Sequence, residues 1–403
     1  MYDAIVVGAR CAGSPLSMLL ARMGYKVLLV DRATFPSDSI STHFVWPTGV
    51  DCLNRWGLLD RLRATGCPPV HRIGIDLGAF QLEGAPPPIN SVAEMYGPRR
   101  IVLDKMLLDA AAEAGAEVEE AFTVTGLTST DGRITGIRGH ERGGAETEIR
   151  AKIVVGADGR HSLVAATVGA GEYNVRPVMT CCYYSYWKNL PPHVSTMRPR
   201  PGRLMVTTPT HDGLHIVITL YPAAEFDAVK SDIDCHFMDT IDLVPELSNI
   251  VRSGERVERY YGTGDIPNFF RKPYGDGWAL AGDAGYHKDP CTAQGISDAF
   301  RAAEWLADAI HAGFSGARPL NEALAEYHRI RDEHAMPVYE MTMGLATLDP
   351  PPPEMQALYA ALIHNPAETD RLVGTFAGTV PIPEFFSPEN VGRIMSKGAA
   401  AAG

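Results

Sequence analysis

Residues 2–32, YDAIVVGARCAGSPLSMLLARMGYKVLLVDR, carry a strand, a tight turn, a helix and a second strand within one short span. Ala4 to Val7 form an apolar strand, and Gly8, Arg10 and Gly13 occupy the three marked positions of a G-x-G-x-x-G turn. Leu16, Leu19, Leu20 and Met23 then have helical spacing, and Val27 to Val30 read as a second buried strand. Such a turn, with Cys11 and Ala12 inside it, brings backbone N–H groups and a helix N-terminus against a pyrophosphate. Asp31 closes the second strand about twenty residues beyond the turn, where a carboxylate accepts both hydrogen bonds of an adenosine ribose, and Arg32 follows it. The stretch therefore reads as a dinucleotide site.

Arg10 stands where a missing side chain normally lets the backbone approach the phosphates. Its guanidinium is expected either to fold back as a charge-assisted donor to the pyrophosphate or to sit in solvent on the loop.

The chain has 403 residues, which points to two or three domains, and its 45% hydrophobic content is ordinary for a soluble enzyme. A formal charge of -12 argues against nucleic acid as a partner, because that binding relies on clustered Lys and Arg. No apolar run is long enough to span a membrane. With a strand starting at the second residue, a cytoplasmic location is expected. The seven cysteines, at 11, 52, 67, 181, 182, 235 and 291, show no C-x-x-C spacing, against a zinc site or a disulfide framework; no metal is expected.

Beyond Asp31 a long polar loop with Ser41, Thr42 and His43 runs to Pro47, and long ordered loops beside a ligand site tend to be functional. His43 is a candidate for the pocket, the alternative being a residue bonded to backbone at the start of a helix. Residues 70–98 read as strands broken by a turn, and a helix follows from about Leu103 to Ala114 with Arg100 at its entrance. TDGR at 130–133 makes a hairpin turn, and the strand in KIVVGADGRHS ends at Gly156, Ala157, Asp158 and Gly159. From about 173 to 273, MTCCYYSYW (179–187), RLMVTTPT (203–210) and LHIVITLY (214–221) suggest a second, largely antiparallel sheet interrupted by two short helices. The chain then returns through a strand at Trp278 to Ala281, through Gly282 and Asp283, and into two helices, the second ending or kinking at Pro337.

The expected architecture is α/β: a Rossmann-like dinucleotide-binding domain, an inserted, largely antiparallel β-sheet domain for the substrate and a helical C-terminal region. Its parts are 1–172 (with a β meander), 173–273, the return segment 274–345 and the tail 346–403, whose Ala/Gly end is expected to fray. Three apolar strands thus end in Gly-rich or Gly-Asp segments, and one extended ligand beyond their carboxyl ends would meet all three.

With these motifs the sequence resembles the FAD-dependent monooxygenases of the para-hydroxybenzoate hydroxylase type, together with the related flavin-dependent halogenases and geranylgeranyl reductases, over about Met1 to Ala312. The resemblance implies FAD as cofactor, with the first turn on the pyrophosphate and Asp31 on the ribose. It implies that Arg100, in R-x-x-L-D, contacts FAD at a helix start, that Asp158 and Gly159 form the DG motif, and that Gly282 and Asp283 form the GD motif, its aspartate on the ribityl chain. Pro290, Ala293, Gln294, Gly295 and Ile296 match the segment under the flavin ring. Tyr286, Ala293, Ser297 and Ala165 depart from the usual His, Gly, Asn and Arg.

The reaction implied is hydroxylation or epoxidation of an apolar or aromatic small molecule through a flavin C4a-hydroperoxide. NAD(P)H or a separate flavin reductase would supply the electrons. Cys182, Tyr184 and Tyr186 share one face of a strand that could line the substrate pocket, and His215 or a tyrosine could deprotonate a phenol; plain aromatic packing of the sheet is the alternative for each. Two other functions are weighed. One is a reductase of prenyl double bonds, although its Cys-Gly-Gly marker is replaced here by SISTHF (39–44). The other is a non-catalytic flavin-binding redox module.

Overall fold

The computed structural model describes residues 1–191 and 194–402. Its base is a sheet in the order Tyr274–Gly275, Trp278–Leu280, Thr147–Gly156, Tyr2–Val7, Val27–Val30 and Glu117–Glu119. All neighbours are parallel except the edge hairpin at Tyr274–Gly275. A parallel sheet is covered on both faces, which is why its strands are apolar at consecutive positions. Ala4 and Val6 pack with Leu16, Leu103 and Phe300, from helices Gly13–Arg22, Arg100–Glu113 and Gly295–Phe314. Ile5 and Val7 pack with Phe122, Leu127 and Ile137 of the meander Phe122–Thr130 and Arg133–Glu141, closed by the expected turn with Asp131 and Gly132 at positive φ. Val7 pairs with both Val30 and Gly156, and Gly156 with Leu280, so the carboxyl ends are level. The first turn, Asp31, the DG segment and the GD segment leave the sheet along one edge.

The second sheet is ordered Glu255–Arg256, Thr180–Lys188, His215–Pro222, Arg203–Pro209, Ser195–Arg200, Ile73–Asp76 and Gln81–Gly84, with Tyr261–Thr263 also on Thr180–Lys188. Its far end comes from the early chain: Ser195 pairs in parallel with Ile73, so strands within 70–98 complete a sheet whose sequence signal lies mainly in 173–273. Strand alternation divides it cleanly. Cys181, Tyr183, Trp187 and Val217 pack under helices Ile233–Asp242 and Pro245–Ser253, while Cys182, Tyr184, Tyr186, Ile216, Ile218 and Leu220 face the return segment at Cys291.

The helix Leu320–Ala346 continues beyond Pro337 and does not end there, one of the two outcomes expected at that residue. Proline in a helix interior costs about 3 kcal/mol, but the turns beyond it bury Val338, Tyr339, Thr342, Met343 and Ala346, and that packing holds the helix. Helices Pro353–Leu362, Pro366–Ala377, Ile382–Phe385 and Pro388–Ala402 then close over Phe44, Trp46, Ile73 and Leu82. The chain's Ala/Gly end continues the last helix to Ala402, and Gly403 lies outside the described residues. No helix among the described residues is long and apolar enough to cross a membrane.

Candidate active site

The level strand ends open into a cleft of about 740 Å³, a size suited to a bound cofactor. Gly8, with φ 105°, starts the turn; a Cβ there would overlap the Ala157 carbonyl, so the two strand ends meet only because this residue is glycine. Gly13 is equally constrained, since its Cβ would collide with the Gly8 carbonyl; it shapes the turn and does not line the cleft. Asp31 accepts from Ala9 N and Ala33 N, both at 2.8 Å, and so staples the turn to the following loop while still lining the cleft. Arg32, Ser41, Thr42, Cys11 and Ala12 line it too.

Arg10 follows neither sequence expectation fully. Its guanidinium lines the cleft but donates to Asp104 at 2.6 Å and to Ser37 Oγ at 3.0 Å. Arg100 donates twice to the same carboxylate, at 2.9 and 3.0 Å, and the Cys11 thiol donates to it at 3.4 Å. Asp104, fully buried, thus gathers two arginines at the cleft wall. The sequence carried its signal as the aspartate of R-x-x-L-D, one turn after Arg100.

Asp158 accepts from Ser162 Oγ at 2.5 Å and from Val164 N, tying the DG turn to the helix Leu163–Thr167; burial raises its pKa. Gly159 borders the cleft, and so does Gly282, whose Cβ would come within 2.8 Å of Ala12 Cβ. Asp283 lines the cleft beside Arg100, whose positive form is favoured by Asp104 and Asp283 against the burial that opposes it. Gly295 begins its helix at the cleft, and a Cβ added there meets no protein atom within 4 Å. It is a cradle that a side chain would fill.

Pro290, Ala293 (φ 52°) and Ile296 complete this wall. Gln294 does not: its Nε2 donates to Phe376 O at 2.5 Å, tying the loop to the C-terminal helices, because the left-handed turn at Ala293 directs the chain that way.

A second, small cavity of about 40 Å³ touches the first, sharing Thr42, Pro290 and Ala293. Its walls are mainly Phe44, Trp46, Ile73, Met197, Val206, Ile218 and Leu220. Of its polar groups, Ser195 Oγ is bonded to Thr208 Oγ1 at 2.8 Å and Thr292 Oγ1 to Thr342 Oγ1 at 2.9 Å, which leaves an apolar surface.

The four candidate catalytic side chains separate. Tyr184 lines the large cleft and stacks on Tyr261 at 5.3 Å. Tyr186 is buried behind it, hydrogen-bonded to His43 Nε2, with the Arg99 guanidinium 4.5 Å above its ring. Burial raises both tyrosine pKa values. His43, at φ 65° and fully buried, is pushed down to about 3 by burial and by Arg100 and Arg99; its Nδ1 has no hydrogen-bond partner among the described residues. His215 lies on the Val217 face, turned away from the cleft by strand alternation, and lines neither cavity. Lys188 pairs with Glu255 at 3.0 Å at the sheet edge. No group of side chains suited to a metal occurs among the described residues, and all seven cysteines are free thiols.

A Rossmann-type sheet whose Gly turn, DG and GD segments converge on one long cleft defines a dinucleotide-dependent oxidoreductase. The chain belongs to the family described as FAD binding domain, whose model matches residues 1–342, and its cofactor is FAD. It is 24% identical over 344 residues to a 1H-pyrrole-2-carbonyl-[peptidyl-carrier protein] brominase of Pseudoalteromonas luteoviolacea, covering 82% of this chain and 81% of that one. It is 26% identical over 347 residues to a digeranylgeranylglycerophospholipid reductase of Methanocella arvoryzae, covering 81% and 82%. Its fold matches that of PqsL of Pseudomonas aeruginosa, a probable FAD-dependent monooxygenase, with TM-score 0.71 at 19% identity over 93% of this chain and 99% of the other.

Proposed function

We propose that this protein is an FAD-dependent monooxygenase that hydroxylates or epoxidises an apolar or aromatic small molecule, with electrons from NAD(P)H or a separate flavin reductase. The observation that supports this reading is the apolar lining of the small cavity that adjoins the cofactor cleft at Thr42, Pro290 and Ala293, which is large enough for one end of a substrate whose remainder lies in the cleft. FAD, when bound, supplies the redox and oxygen chemistry; the chain positions it and keeps water away. Gly8, Asp31, Arg100, Asp158, Asp283 and Gly295 are the residues we assign to holding it, because each stands at the edge where the strand ends converge. The apolar walls orient a substrate and exclude solvent, which protects a reactive intermediate from hydrolysis.

Tyr184 stands at the cleft wall, and the Tyr186–His43 pair behind it holds a proton between two groups that are both neutral at physiological pH. The second reading is reduction of a carbon-carbon double bond, favoured by the 26% identity to a prenyl-lipid reductase. Substrate-stimulated NAD(P)H oxidation across a panel of phenols, indoles and prenyl compounds, followed by ¹⁸O₂ labelling, tests the proposal. One labelled oxygen in the product is expected. A saturated product formed equally well under nitrogen would replace this reading with the reductase.

A further inference from the structure

One row of side chains on the covered face of the second sheet runs from the cofactor cleft into the small cavity. Tyr184, Ile218, Val206 and Met197 stand opposite one another on four adjacent strands, and alternation points all four to the same side. Tyr184 lines the cleft, and the other three line the cavity. Adjacent strands lie about 4.8 Å apart, so the row spans about 14 Å. Ile218 is buried, but Val206 and Met197 are only half-buried although the face they occupy is covered.

The opposite wall is fixed. Phe44 and Trp46 meet edge to face at 4.8 Å, and Trp46 is fastened by Nε1 to Thr292 O and by N to Ser297 Oγ, both at 3.1 Å. Beyond Met197 the row continues into Ile75 and Leu82, buried in the core under the C-terminal helices, and this closes the cavity's end. One water molecule takes up about 10 to 15 Å³ of such space, so the cavity's 40 Å³ holds a group of about three carbon atoms. Its hydroxyls are bonded in the pairs Ser195–Thr208 and Thr292–Thr342. A polar group at the closed end would therefore lose its bonds to water without replacing them.

We propose that the cavity gauges the length of the substrate's apolar end. The substrate is an elongated molecule that extends from the cleft along this row, its end bare of polar groups over about three carbons, and Val206 and Met197 set how far it reaches. The gauge rests on the reading of the cavity as part of the substrate site, but not on the chemistry that follows binding.

The test is calorimetric titration of FAD-loaded protein with phenols carrying an unbranched 4-alkyl chain of one to six carbons. Affinity is expected to rise about fourfold per methylene up to about three carbons, and to fall beyond. Val206→Ala should move the preferred chain about one or two carbons longer, and Val206→Leu about one carbon shorter. Met197→Ala should shift it in the same direction as Val206→Ala. Opposite shifts from two substitutions at one position are an outcome that general loosening of the sheet does not produce. 4-(2-Hydroxyethyl)phenol, which matches 4-propylphenol in chain length, should bind about tenfold more weakly than it. No binding by any of these phenols, a preferred length unchanged in all three variants, or equal affinity for the hydroxylated chain would overturn the gauge. Phenols that bind with the expected length preference yet give no ¹⁸O-labelled product would leave the gauge standing and remove the oxygenation reading.

Discussion

Asp104 and His43 show what single residues do in this site and how differently the sequence announced them. Asp104 sat inside a motif already assigned to its arginine, but only the folded chain shows that Arg10 reaches the same carboxylate from ninety-four residues away. Replacing it by Asn leaves Arg100, nearly buried, and Arg10 without a countercharge. Asp104→Asn is expected to lose about 3 to 5 kcal/mol in urea unfolding; a loss under about 1 kcal/mol would mean that solvent replaces the pairing. His43 was legible as a loop histidine near the pocket, but not as a fully buried neutral group, since burial depends on what the second sheet lays over it. Its folded pKa of about 3 lies below the ordinary 6.5. Its contribution is therefore complete above pH 6.5 and is lost as pH falls toward 3, by about 1.4 kcal/mol per pH unit. His43→Asn suits the positive φ and removes the titration. The stability gap between wild type and variant should narrow on going from pH 7 to pH 4.5 in thermal melts, and a gap constant with pH would refute the buried neutral histidine.

At the scale of elements, strands and helices that depend on their own periodicity were readable, and those that depend on a distant partner were not. The first strand, turn and helix follow from apolar spacing and glycine, and the structure keeps them at Tyr2–Val7 and Gly13–Arg22. Ile73–Asp76 pairs on one side with the nearby Gln81–Gly84, but on the other with Ser195–Arg200, more than a hundred residues later, which no local pattern encodes. Pro337 carries a strong local stop signal, overridden by the packing of the turns after it. The helix Gly295–Phe314 allows stability and ligand contact to be separated. Its first residue has negative φ and open space where a Cβ would stand, so Ala there suits the helix. Gly295→Ala should leave the apoprotein as stable as wild type, or more so by about 0.5 kcal/mol, while weakening FAD uptake in fluorescence-quenching titrations by tenfold or more. Unchanged FAD affinity would remove the helix N-terminus from the cofactor's surroundings.

For the whole molecule, the fold is shared by relatives with three chemistries, so the choice among them rests on what this chain places around the cleft. Halogenation of the tryptophan-halogenase type uses a lysine amine to carry the halogen to the substrate, in the region after the second strand. Here no lysine occurs between Lys26 and Lys105, and the text nearest to W-x-W-x-I-P, YWKNLP at 186–191, offers only Lys188, which is paired with Glu255 at the sheet edge. Lys288 is the one lysine lining either cavity among the described residues, and its ammonium is bound to Asp298. Asp298 is held ionised: burial opposes its charge, but Lys288 and Arg301 outweigh that effect. The ammonium therefore keeps its countercharge. Arg55 offers no substitute, since a guanidinium with a pKa above about 12 supplies no neutral amine. Incubating FAD-loaded enzyme, a reductant, oxygen and an accepted substrate with excess bromide or chloride should give oxygenated product with no dependence on halide, as read by mass spectrometry. A dominant halogenated product would place the catalytic amine elsewhere and overturn oxygenation as the reaction of this site.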